Sequence, residues 1–183
     1  MSEDLLIRNC SPTLAGIKPG NLFSCGYPSQ QALLQYIRRL NKTLVPKGIR
    51  VVVLRAREGR ALIYVFRYTA IQKMLRNRQA ADLLRERGYS QLRVEPCICR
   101  LLGRCQDDSE FPHEIGLFLG YPPEDVIGFI ENKACNQKCT GFWKVYGDPV
   151  EAQKMFEKYR RCTHVYCSQF EHGKSMDRLT VAG

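Results

Sequence analysis

From Ser29 to Leu44 the apolar positions recur every three to four residues. Leu33, Ile37, Leu40 and Leu44 form one stripe, and Arg38, Arg39 and Lys42 lie off it. That spacing predicts an amphipathic helix, ended by Pro46-Lys47-Gly48. The pattern then changes. Ile49 to Ala56 contains the run VVVL, as expected of a buried strand. Arg57-Glu58-Gly59 makes a tight connection, and RALIYVFR, Arg60 to Arg67, returns, so the stretch of about 49–67 predicts a β-hairpin.

The flanking segments are read the same way. Ser2 to Arg8 predicts a short helix with Ser2 as N-cap. A Pro- and Gly-rich loop follows, NCSPTLAGIKPGNLFSCGYP, with a short strand near 21–25. Helices are expected from Thr69 to about Arg76 and from Gln79 to Arg87, ended by Gly88. Ser90 could start another, in which Pro96 fits only a first turn. Asp107 to Glu110 reads as an acidic loop. The apolar run HEIGLFL predicts a strand over 113–119, and Pro122-Pro123-Glu124-Asp125 a helix start. A further strand is expected over 141–146. Asp148-Pro149 then opens a last helix, striped by Ala152, Met155, Phe156, Tyr159, Cys162 and Tyr166. The final ten residues, from Lys174, read as a loose tail. Together these elements predict one α+β domain over 1–183, with a mixed sheet that includes the hairpin and is packed by several helices.

Composition adds three constraints. With 183 residues and 44% hydrophobic content the chain can bury a core. No apolar run reaches membrane-spanning length, and MSEDLLIRNC starts acidic, which points to the cytoplasm and away from a membrane. The net charge of +10 is uneven: residues 36–104 carry 17 Lys/Arg against 4 Asp/Glu. That asymmetry suits an anionic partner, or simply a solvated basic face.

Candidate chemistry lies in two blocks. His113-Glu114 is a general acid/base candidate, because imidazole titrates near neutrality and an adjacent carboxylate can tune it. On a strand, though, neighbouring side chains point to opposite faces. Cys10 lies in the Pro- and Gly-rich loop, where Lys18 or His113 could activate it as a nucleophile. Cys10, Glu114 and His113 are therefore the catalytic candidates. Cys10, Lys18, Asn21 and His113 are the ligand-binding ones. Nine cysteines also raise the question of metal. Cys135 and Cys139, with Cys97 and Cys99 as a second arm, have only a weak version of metal-ligand spacing, and buried thiols are the alternative. No phosphate-binding glycine motif and no nucleophile elbow occurs. Tyr36, Tyr64, Phe66 and Tyr68 interleave with arginines, a composition that also suits nucleic acid.

Four blocks resemble a bacterial family catalogued as domain of unknown function 3793, found mainly in anaerobic Firmicutes: CSPTLAGIKPGNLF, PHEIGLFLGYPPEDVIGFIENK, GFWKVYGD and FEKYRRCTHVY. The resemblance implies a single full-length domain in a cytoplasmic bacterial protein. It supplies no catalytic residues and does not extend to Cys97, Cys99, Cys105, Cys135 or Cys139. The expected function is binding of a small ligand, a metal or a redox cofactor of haem or flavin type, in a pocket of the Cys10 loop and the His113 strand start. Whether the chain is an enzyme stays open. The alternatives are a nucleic-acid-binding module using residues 36–104, or a partner-binding protein with no chemistry.

Overall fold

One strand, β3 (Arg60–Arg67), divides the molecule. The computed structural model describes residues 3–107 and 111–183. The expected Ser2 cap and the acidic loop at 108–110 lie outside them. β3 pairs antiparallel with β2 (Ile49–Arg57) on one side and with β1 (Gly20–Gly26) on the other, giving the order β1-β3-β2. The hairpin is thus as expected. The sheet is antiparallel throughout, not mixed, because β3 inserts between β1 and β2, which follow one another through α2 (Gln30–Leu44) and run in the same direction.

Side chains alternate along a strand, and here both faces are covered. Ala61, Ile63 and Val65 enter one core with Leu6, Ile7, Cys10 and Leu14 of α1 (Glu3–Leu14) and with Leu33, Tyr36, Leu40 and Leu44 of α2. Tyr64 and Phe66 enter the other core. There they meet the helices α3 (Tyr68–Met74), α4 (Arg78–Glu86), α5 (Val94–Gln106), α6 (Ile115–Phe118) and α7 (Pro123–Glu131). Coverage on both faces is the physical reason for the uninterrupted VVVL run. A third cluster joins Trp143, Val145, Ala152, Phe156 and Tyr159. It packs α8 (Pro149–Glu171) on a two-residue ribbon, β4 (Cys139–Thr140) with β5 (Lys144–Val145). The strand expected over 141–146 is this short β5. Asp148 caps α8 as expected, accepting from the amides of Val150 and Glu151 at 2.8 and 3.2 Å.

Three other expectations change. Residues 113–119 form the one-turn α6, not a strand. Every residue from Glu114 to Leu119 is buried, so the helix carries no amphipathic signal to set it apart from a buried strand. The first helix runs on to Leu14 and takes in Cys10 and Pro12, which the sequence placed in a loop. It ends where Gly16 adopts φ +78°, with Ile17 N bonding to Pro12 O and Gly16 N to Thr13 O, a turn that favours glycine. The tail is also fixed. Met176 and Leu179 of α9 (Met176–Leu179) are buried, and Val181 N donates to Leu14 O at 3.0 Å.

Arg67 ties these parts together. It is 5% exposed. Its Nε donates to Thr13 O at 2.6 Å, and its Nη2 donates to Leu14 O and Val181 O, both at 2.7 Å. A cation therefore sits on the last carbonyls of α1, where the helix dipole favours positive charge.

A two-lobed candidate binding cleft

The outer edge of β1 is unpaired, and a cleft of about 650 Å³ lies against it. α1 contributes Arg8, Asn9 and Pro12, β1 contributes Asn21 and Leu22, and α8 contributes Arg160, Thr163 and His164. Lys18, Leu119, Tyr121 and Phe142 complete the wall, and among the described residues no carboxylate lines it. A second cavity of about 330 Å³ adjoins it, sharing Tyr121 and Phe142. Its wall is mostly apolar: Ile115, Val126, Phe129 and Trp143, with His113, Asp125 and Lys144 as polar members.

Lys18 is the unusual group. It is 4% exposed. Its Nζ stands 5.5 Å from the centre of the Tyr121 ring and 5.8 Å from that of Tyr159. Among the described residues it has neither a carboxylate nor a hydrogen-bond acceptor. The ring faces attract the cation, but burial penalises its charge and lowers the amine from 10.5 to about 8. Asn21, also on the cleft wall, accepts at Oδ1 from the Thr13 hydroxyl at 2.7 Å. Arg8 is held by Asp4 at 2.8 Å. Arg160 has no ionic partner among the described residues.

The aromatic lobe is braced by Asp125. Its Oδ2 accepts from Trp143 Nε1 at 2.6 Å, and its Oδ1 accepts from the amides of Tyr146 and Gly147, each at 2.7 Å. Trp143 stacks on Tyr121 at 4.8 Å between centroids. The sequence reading singled out neither Asp125 nor these rings. The signal present was the aromatic density of GFWKVYG after an acidic helix start.

The residues expected to act together are placed as follows. Lys18 and Asn21 meet in the basic lobe, and His113 lines the aromatic lobe with its ring edge-on to Phe129 at 5.0 Å. Cys10 lines neither: it is fully buried on the inner face of α1, and burial pushes its thiol far above the ordinary range, which disfavours the thiolate. Glu114 points away from His113 into the core, since successive positions of a helical turn diverge. Its Oε1 lies 2.7 Å from Arg104 Nε and accepts from the Tyr89 hydroxyl at 3.0 Å. This tie holds α6 to α5. Cys97 is buried on α5 while Cys99 is exposed, and Cys135 and Cys139 lie far along the chain near β4. Among the described residues no group of three or more His, Cys, Asp or Glu gathers in a way that could hold a metal.

The basic segment is spread over several elements. Tyr36, Tyr64 and Phe66 are core residues, so three of the four rings offered for base stacking are not at the surface. Tyr68 is half-buried, with the Arg50 guanidinium 5.3 Å from its ring centre.

Fold and site together define an α+β protein with a cleft that is cationic in one lobe and aromatic in the other. The profile of the family described as Protein of unknown function (DUF3793) matches residues 6–180, and the chain belongs to that family. Neither the curated proteins nor the solved structures searched gave a match. No helix among the described residues is long and apolar enough to cross a membrane.

Proposed function

We propose that this protein binds a small anionic molecule with a flat apolar portion, the anion in the Lys18 lobe and the ring beside Trp143. The observation that carries this reading is Lys18: a buried ammonium with no carboxylate partner among the described residues, on the wall of a cleft lined by further cations. A buried charge without a partner is costly, and a bound anion would offset that cost. That Tyr121 and Phe142 line both cavities supports a ligand that touches the two lobes. The work is done in the cytoplasm, a reading supported by nine cysteines that are all free thiols.

The test is calorimetric titration of the full chain with phenyl phosphate, inorganic phosphate and phenol. Phenyl phosphate should bind at least about tenfold more tightly than either fragment, since the two parts share one association cost. Lys18→Met should abolish the phosphate contribution while the variant stays folded. Equal or absent heats for all three compounds would overturn the reading.

A further inference from the structure

We propose that Lys18 is a carbonyl-trapping amine: the cleft forms an imine between its Nζ and an aldehyde or ketone that also carries a phosphate or carboxylate. This rests on the anion-binding reading above and names a reaction class for the same cleft.

Four observations converge on it. The Nζ lies against a cavity and is not locked in a salt bridge. The ring faces of Tyr121 and Tyr159 beside it neither accept its protons nor compete as nucleophiles. A lysine desolvated in this way is the usual form of an amine nucleophile. A second cation is available for the substrate's anion: Arg160 of α8 lines the cleft with Asn21, whereas Arg8 on α1 is paired with Asp4 and Glu171. Arg160 therefore still offers the anion a partner once the Lys18 amine is neutral. Lys18 is shielded enough to be partly neutral near physiological pH, as its lowered value of about 8 agrees.

The step balances without any further reagent. The ammonium first gives one proton to solvent at the rim. The nitrogen lone pair forms a C–N bond to the carbonyl carbon, and the C=O π pair moves to oxygen, which takes up a proton while the nitrogen releases one to solvent. A second proton from solvent converts that hydroxyl to water, which leaves as the regained nitrogen pair forms the C=N bond of a protonated imine. Nothing is oxidised or reduced.

The test uses pyridoxal 5′-phosphate as an aldehyde probe with a ring and a phosphate, and pyridoxine 5′-phosphate as its counterpart without a carbonyl. The full chain is incubated with the aldehyde, reduced with borohydride, digested and mapped by mass spectrometry. The expected result is an adduct at Lys18 formed at least about tenfold faster than at any other lysine, with the preference lost in unfolded protein. Lys18→Arg keeps the charge but has no nucleophilic amine, so the adduct should be lost whatever affinity for pyridoxine 5′-phosphate the variant keeps. Labelling spread evenly over surface lysines, or unchanged in Lys18→Arg, would overturn the imine. Should pyridoxine 5′-phosphate bind in a Lys18-dependent way with no reducible adduct, the imine falls and anion binding stands. Failure of both compounds to bind removes both readings.

Discussion

Pro19 and Gly120 touch: a methyl group at Gly120 would overlap the Pro19 ring, its carbon falling 2.7 Å from Cγ. Gly120 also has φ +78°, a conformation that side chains disfavour. This contact seats the turn carrying Lys18 against the turn carrying Tyr121. Gly120→Ala should therefore cost about 2 kcal/mol, from the backbone conformation and the overlap together. It should also weaken phenyl phosphate binding, because the ammonium and the ring would separate. Chemical denaturation and titration of the same preparation measure both effects. Full stability in Gly120→Ala would show that the two turns are not fixed by this contact.

Arg67→Met removes three hydrogen bonds from a buried guanidinium to the carbonyls of Thr13, Leu14 and Val181. It leaves those carbonyls short of donors, so a loss of about 3 kcal/mol is expected in urea unfolding. Amide exchange at Val181, whose N–H bonds to Leu14 O, should speed up more than exchange in β2.

The amine of Lys18 has an ordinary value of 10.5 and is lowered to about 8 in the fold. Between those values the unfolded chain binds more protons than the native one, so this group's contribution to stability rises with pH across that window. Lys18→Met lacks the penalty. The variant should be the more stable protein below pH 8, by roughly 3 kcal/mol, and the gap should close as pH rises toward 10. Parallel urea titrations at several pH values give the difference directly. A gap independent of pH would mean the ammonium is not desolvated.

Thiols act in the opposite sense. Burial raises Cys97, Cys105 and Cys162 to about 11, and it raises Cys10, Cys25 and Cys167 as well. Their stabilising contribution is complete below the unfolded value of 9.0 and is lost as pH climbs through 11. In reductant, the wild-type urea midpoint should fall steeply between pH 9 and 11. A flat midpoint over that range would contradict the burial of these cysteines.

Trp143 is the one tryptophan of the chain and is 7% exposed. Its emission should be that of a buried indole and should change when phenyl phosphate enters the aromatic lobe. Asp125→Asn puts an amide donor among three N–H donors that now meet a carboxylate. The emission should shift to the red as the 139–147 segment loosens, and ring-bearing probes should bind less well while inorganic phosphate is unaffected.

Much of this architecture is readable from local pattern. α2 follows its apolar stripe, the hairpin follows VVVL and RALIYVFR, and α8 starts at its Asp-Pro signal, because each is fixed by neighbours close in sequence. Residues 114–119 are not readable in this way: burial on all sides erases periodicity, and a short apolar run fits a turn of helix or a strand equally. Lys18 and Asn21 were identifiable as polar residues of a glycine-rich loop. Their partners Tyr121, Phe142 and Arg160 were not, since tertiary contacts, among them Pro19 with Gly120 and α1 with α8, bring those segments together. Cys10 misled for a related reason. Its helix continues through Pro12 and turns the thiol inward, whereas proline inside a helix usually argues for an end.

Because β3 gives alternate side chains to two cores, neither core has a wall of its own. Ile63 and Tyr64 are adjacent along one backbone, so loss of order on one face releases the other. Heating should therefore produce a single calorimetric transition whose van't Hoff and calorimetric enthalpies agree, and a ligand held at the β1 edge would move that one transition as a whole.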